Sequence, residues 1–208
     1  MSEHLVFTLT AALGAMGDLA GHERRGSWGW PGRSALVGLL GAAQGIRRDG
    51  DFSALERLRY AVAIFDEGGA LRDYHTVETV PSAKAKSPQT RREALRLARG
   101  RTNTMITIRD YRTSPLFGVA VWGGTLGPLC DALANPVFPL YLGRKSCPLA
   151  APTGAQIVAA EDPAIALGHV ILPPWRTGAV AQLLASDDGP WDRVEQRHDR
   201  AIDRMRWH

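Results

Sequence analysis

Cysteine is scarce in this chain. Cys130 and Cys147 are the only two, they show no CxxC spacing, and Cys147 has no metal-ligand companion, so its expected role is that of a small buried residue. Long apolar runs are missing as well. No stretch approaches the roughly 18 residues needed to cross a bilayer, which excludes a membrane-spanning helix. The N-terminus lacks the charged, apolar and small-residue regions of a signal peptide, so the expected setting is reducing and cytoplasmic, with no membrane partner. Repeats of about 20 to 50 residues and low-complexity tracts are absent. Charge of one sign is in only small excess, at a net +4, so its placement matters more than its sum.

What the chain has is an ordinary globular composition and much glycine. A hydrophobic fraction of 45% and a charged fraction of 22% over 208 residues fit one domain with a sizeable core, or one domain with a small appendage. Many of its 22 glycines fall in the first 50 residues, which implies tight turns and close backbone approach. Positive charge is concentrated from Lys84 to Arg112, where Lys84, Lys86, Arg91, Arg92, Arg96, Arg99, Arg101, Arg109 and Arg112 face only Glu93 and Asp110.

Leu5, Phe7 and Leu9 alternate with Val6, Thr8 and Thr10, a period of two that predicts a first strand. Residues 11–33 lack a sustained period and predict a long loop. Ser34 is the expected N-cap of a helix to about Ile46, with Leu36, Leu39, Leu40 and Ala43 on one face. Its glycines, Gly38, Gly41 and Gly45, imply very close packing. Leu55 to Leu58 predicts a short helix, and Tyr60–Phe65 and Ala70–Val77 around Glu67-Gly68-Gly69 predict a hairpin. A weak helix is expected near Arg91–Arg99. Strands follow at Thr104–Tyr111 and Leu116–Trp122, then a helix through Leu126, Leu129 and Leu133. Ala155–Ala160 and His169–Leu172 are further candidate strands, and Asp162–Leu167 a helical turn. The sum is an α+β outline of the split βαβ, ferredoxin-like kind.

Several segments suggest chemistry. Gly32-Arg33-Ser34 at a helix start could hold an anion, but Ser27 and Arg33 stand where a Walker loop needs Gly and Lys, which argues against nucleotide hydrolysis. The rival reading is a plain helix cap. Asp73-Tyr74-His75-Thr76 offers an aromatic and an imidazole for stacking on unpaired bases, or for general-base attack by a 2′-hydroxyl, or for bracing a loop as a buried pair. The loop Tyr141 to Pro148 presents Arg144 and Lys145 rigidly, as phosphate contacts require. The run from Lys84 to Arg101 reads as an arm that tracks phosphates or as a solvated loop. His198-Asp199 is expected to be a solvated pair, since no further metal ligands surround it.

Four of these segments together resemble the CasD family, the RAMP subunit of type I-E CRISPR Cascade complexes. They are Gly32 to Ala42 with Gly45 to Asp49, Asp73 to Val77, Ile108 to Arg112, and Pro139 to Pro148, in the family's order over residues 5–150. The resemblance implies a ferredoxin-like (RRM-like, RAMP) fold over residues 1–150 with a basic thumb inserted at about 79–103. Residues 151–208 are expected to complete or pack on that domain. It implies a non-catalytic, RNA-binding role: holding the 5′ handle of the crRNA, capping the backbone filament and supporting crRNA-guided binding of invading DNA in antiviral defence. The implied partners are crRNA, CasC backbone subunits, the CasA large subunit, and target DNA, indirectly or through the thumb. No metal or cofactor is expected. The RNA-binding candidates are Arg33, Arg47, Arg48, Tyr74, His75, Arg109, Tyr111, Arg112, Tyr141, Arg144 and Lys145, and the thumb candidates are Lys84, Lys86, Arg91, Arg92, Arg96, Arg99 and Arg101. The rival expectation is a metal-independent endoribonuclease cutting repeat RNA with His75, Tyr74 and a thumb lysine.

Overall fold

A computed structural model describes residues 1–18, 23–81, 87–187, 189, 193, 194 and 199. In chain order the elements are β1 (Ser2–Thr10), β2 (Leu13–Gly14), β3 (Arg24–Arg25), α1 (Arg33–Ala43), α2 (Ser53–Glu56), β4 (Arg59–Asp66), β5 (Gly69–Thr79), α3 (Arg91–Ala98), β6 (Asn103–Thr113), β7 (Leu116–Trp122), α4 (Gly127–Ala134), β8 (Gln156–Ala160), α5 (Pro163–Leu167), a 3₁₀ turn (Pro174–Arg176) and β9 (Leu183–Ser186). They make a mixed α+β structure with two sheets. The first has the order β8-β1-β7-β4-β9 and is antiparallel throughout. The second is built on β6, paired with β5 along one edge and with β2 and β3 along the other.

The period of two in β1 does what alternation dictates: its odd side chains go to one face and its even ones to the other. Leu5, Phe7 and Leu9 are fully buried against Leu36 and Leu40 of α1, Val62 and Ile64 of β4, Phe117 and Val119 of β7, and Leu129 and Leu133 of α4. Burial of each such side chain stabilises the fold by about 1.5–3 kcal/mol. Val6 on the opposite face packs with Ala61, Ala63, Ala120, Ala166 and Leu167 under α5. The close packing expected around α1 is real at Gly41, where an added Cβ would lie 2.3 Å from a ring carbon of Phe52.

Four expectations need correction. The hairpin predicted around Glu67-Gly68-Gly69 does not form, because β4 pairs with β7 and β9 while β5 pairs with β6. The chain changes sheets there. Gly68 holds a φ of +76°, and a Cβ on it would sit 2.2 Å from the Thr113 carbonyl oxygen, so the β4–β5 path presses against the β6–β7 path at the bend. The loop 11–33 contains β2 and β3, each only two residues long and so without a readable period. Residues 169–172 are not a strand; the edge beyond β4 is filled by β9 instead.

The fourth correction concerns α1, which begins at Arg33 with Gly32 at the cap position. Ser34 is inside the first turn, where its backbone N–H donates to Asp199 Oδ2 at 3.1 Å and its hydroxyl to Asp199 Oδ1. Asp199 is therefore a helix cap and not a solvated charge. A carboxylate there meets free N–H groups and the positive end of the helix dipole. Among the described residues no helix is long and apolar enough to cross a membrane.

Candidate functional site

The site grows out of β6. Alternation and the β5–β6 register place Tyr111, Arg109 and Thr107 on one face with Leu71, Asp73 and His75, and put Arg112, Asp110 and Ile108 on the other with Ala70, Arg72 and Tyr74. The adjacent residues Tyr74 and His75, grouped by sequence alone, thus face opposite ways.

On the first face, three distant segments meet. Tyr111, Ala15 and Cys147 form a small buried cluster with Leu13 against it. The loop from Tyr141 to Pro148 is closed by Leu142 N–H donating to the Cys147 carbonyl and Cys147 N–H to the Arg144 carbonyl, each at 2.8 Å. It is joined to the stretch after β1 by Ala15 N–H donating to the Leu142 carbonyl at 3.0 Å. This geometry puts the Arg144 guanidinium 4.6 Å from the centre of the Tyr111 ring, and its Nη2 donates to the Arg25 carbonyl at 3.2 Å. Burial opposes ionisation of the Tyr111 phenol, yet the donors of Arg144 and Ser146 and the Arg109 guanidinium hold it below the usual tyrosine range. With a relative exposure of 8%, Tyr111 has no free ring face for stacking on a base. Tyr141 is half-buried in an isolated bridge with Pro148, and Lys145 is exposed.

The second face carries an ionic bridge. Asp110 accepts from Arg72 Nε at 2.8 Å and from Arg24 Nη2 at 2.8 Å, so one carboxylate links β5, β6 and β3. The hydrogen bond from Arg72 lowers the Asp110 pKa, burial opposes it, and Arg24 adds to the lowering. Arg112 lies beside Glu67 at 3.9 Å. Tyr74 is 67% exposed and Ile106 56% exposed, leaving an open aromatic and apolar surface beside the arginines.

Beyond the sheet, β5 and β6 run out as an arm with α3 at its far end. Thr90 caps α3 by accepting from Glu93 N–H, and Arg91 Nη2 reaches back to the Glu78 carbonyl at 2.6 Å. Ala98 is buried, while Arg91, Arg92, Arg96, Arg99 and Arg101 are exposed. Arg92 and Arg96 lie one turn apart on the exposed side of α3, and Arg99 follows at its C-cap with a left-handed φ of +49°. Lys84 and Lys86 lie outside the described residues.

A family model described as CRISPR-associated protein (Cas_Cas5) matches residues 4–208. The chain belongs to that Cas5 family. The Cascade subunit CasD of Escherichia coli (strain K12) is 33% identical to this Cas5-family chain over 184 residues, which are 80% of this chain and 76% of that relative. A chain of a solved CRISPR RNA-guided surveillance complex superposes with a TM-score of 0.61 at 28% identity, covering 76% of this chain and 64% of its own length. A further solved Cas protein superposes at 0.50 with 29% identity, over 79% of this chain and 68% of that one.

The structure of this Cas5-family chain sets the remaining candidates apart from the β6 cluster. Arg33 pairs with Asp187, donates to the Leu58 carbonyl at 2.8 Å and to the Glu56 carbonyl, and lies 5.0 Å from the centre of the Tyr60 ring. It is an internal brace, and the helix start beside it is filled by Asp199. Arg47 and Arg48 are exposed in the turn at the opposite end of α1. Arg24, Arg25, Arg72 and Ser146 were not singled out from sequence. Arg72 could have been found as the in-register neighbour of Asp110 once β5 and β6 were paired; Arg24 and Arg25 sit in a strand too short to signal itself.

Proposed function

We propose that this chain is a non-catalytic, RNA-binding subunit of a Cascade complex, holding the 5′ handle of a crRNA at the β6 face and the Tyr141–Pro148 loop. The observation that carries this reading is the convergence of Arg109 and Tyr111 of β6 with Arg144 of the distant Tyr141–Pro148 loop, in a chain of this family. In it, Arg109, Arg112, Arg144 and Lys145 neutralise phosphates, and the exposed Tyr74 and His75 contact splayed bases from opposite faces of β5. Arg33 is left out because its donors are committed within the chain. Tyr111 acts on the arginines and not on bases.

The strand order β8-β1-β7-β4, with α1 between β1 and β4 and α4 between β7 and β8, supports a ferredoxin-like (RRM-like, RAMP) core. We take residues 1–150 as that core, 79–103 as the thumb, and 151–208 as its completion, since β8 and β9 extend the same sheet. The thumb would then meet CasC-type backbone subunits and target DNA, with a CasA-type large subunit as a further neighbour, in the cytoplasm.

Catalysis is left out of the proposal. The relative at 33% identity is by name a Cascade subunit, which supports a structural role over a catalytic one. The test is to mix full-length protein with a 5′-labelled CRISPR repeat RNA and a scrambled control, without divalent metal, across a salt series. Handle-preferring, salt-sensitive binding that leaves the RNA intact is expected. Site-specific cutting that disappears in His75→Ala would replace this reading with the ribonuclease one.

A further inference from the structure

Strand β8 is a sheet edge with nothing to guard it. It pairs with β1 in unbroken antiparallel register from Gln156 to Ala160, and no strand lies beyond it among the described residues. Which of its main-chain groups face outward follows from β1. Thr8 N–H donates to the Thr153 carbonyl and Ala150 N–H donates to the Thr10 carbonyl, each at 2.8 Å, so the even residues of β1 turn their main-chain groups toward the β8 side. Ser2, His4 and Val6 therefore bond to Ala160, Val158 and Gln156. The N–H and C=O groups of Ile157 and Ala159 point away from the sheet, with no partner among the described residues. Ile157 is 39% exposed, and Ala159 is exposed as well. Edge strands are ordinarily blunted by lysine, proline or a bulge. Gln-Ile-Val-Ala-Ala has none of these.

We propose that the β8 edge is a docking site for an extended, basic segment of a partner polypeptide, which adds to the main sheet as a further strand. Another strand offers donors and acceptors at the spacing of Ile157 and Ala159, and main-chain bonding of this kind tolerates many side chains. The charge around the edge selects the sign of the partner. Strands β1 and β8 meet helices α4 and α5 here, and none of the four carries a lysine or arginine, whereas Glu3, Asp131, Glu161 and Asp162 are exposed. Glu3 lies opposite Ala159 in register, and Glu161 and Asp162 follow the strand directly. Asp131 is next to Cys130, whose thiol donates to the Ala155 carbonyl at 3.5 Å. That acidity repels nucleic acid and sets this edge apart from the cationic β6 face. It also works against a second copy of this chain, since pairing β8 with its own copy brings two acidic rims together. A segment with lysine or arginine on either side of uncharged strand residues meets both demands. The edge belongs to a different sheet from β6, so the proposal does not depend on the RNA-binding reading.

The experiment uses the full chain, isotopically labelled, and three synthetic peptides at millimolar concentration. One alternates threonine and valine between flanking lysines, the second has glutamates as flanks, and the third is the lysine peptide with N-methyl groups on the amides that would face β8. Amide exchange is read at Ile157, Val158 and Ala159. The lysine peptide is expected to slow Ile157 and Ala159 by about tenfold, while Val158, bonded to β1, is protected with or without it. The other two peptides leave Ile157 and Ala159 fast. Ala159→Pro removes an N–H that no ladder bond uses, so the variant keeps its fold, checked by its melting curve, and loses the response. Ile157→Lys asks nothing of the backbone and weakens the lysine peptide several-fold at low salt. Unchanged exchange at Ile157 and Ala159 with the lysine peptide overturns the docking edge. An equal response to the glutamate peptide overturns the basic partner, and a response that survives both variants overturns the location. Dimerisation of the chain alone in sedimentation, with Ile157 and Ala159 protected in the dimer, makes the occupant a second copy and overturns the proposed partner.

Discussion

Gly143 has the least tolerance for a side chain of any residue in the Tyr141–Pro148 loop. Its φ is +87°, and a Cβ added there would stand 1.6 Å from the Ala15 carbonyl oxygen, a collision with backbone and not with a flexible side chain. Gly143→Ala therefore has to separate the loop from the stretch after β1. A loss of about 2 kcal/mol or more of stability in urea unfolding is expected, from left-handed strain together with the broken contact. RNA affinity should fall with it, because Arg144 is the next residue. Asp110 makes a second prediction at this scale. Its pKa lies below the ordinary 3.8, so its contribution is complete at neutral pH and is lost as pH falls through the lowered value. The Ile108 amide, bonded to the Glu23 carbonyl at 2.6 Å, reports the attachment of β3. Its exchange should accelerate only well into the acid range, and Asp110→Asn should bring that fast exchange to neutral pH. Arg24 and Arg72 are 61% and 48% exposed, so solvent screens much of the bridge and the effect on global stability stays small.

Among the elements, α3 separates charge that is open to solvent from charge that is recessed. Arg92 and Arg96 of α3 and Arg99 at its C-cap are exposed with no ion-pair partner among the described residues, which suits displacement of counterions from a phosphate backbone. Replacing the three with alanine should lower the slope of log affinity against log salt by about 2, as fits three single-stranded contacts at roughly 0.7 each. This helix was only weakly visible in sequence, since Ala94, Leu95 and Ala98 make a narrow apolar side and the cap at Thr90 carries much of the signal. Strands β1, β4 and β7 and helix α1 were plain, because alternation in β1 and the Leu36, Leu40, Ala43 spacing follow directly from burial on one face, whereas the four-residue edge strand β9 gave no signal. The hairpin reading failed for a nonlocal reason. Local pattern sees two strands and a turn at Gly68, but which strands they pair with is decided by β7 and β6, far downstream in the chain. The site was half legible for the same cause. Arg109 and Arg144 stood out as cations, whereas the support role of Tyr111 and the capping role of Asp199 exist only once the chain is folded.

Across the whole molecule, the chain passes directly between the two sheets at three short links, β1 into β2, β4 into β5 and β6 into β7. The main sheet is covered by α1 and α4 on one face and by α5 on the other, with a continuous apolar core. The β5–β6 arm has no such cover. Ile108 and Arg109 of β6 have a second neighbour in β3 and Arg112 and Thr113 one in β2, but Asn103 to Thr107 have β5 alone among the described residues. A two-stranded ribbon is only marginally stable in water by itself. The arm should therefore behave as a graded spring, stiff at its root and compliant toward α3. Amide exchange read residue by residue along β6 should be slow from Ile108 onward and faster toward Asn103, and a surface that seats the arm should flatten the gradient from the tip inward.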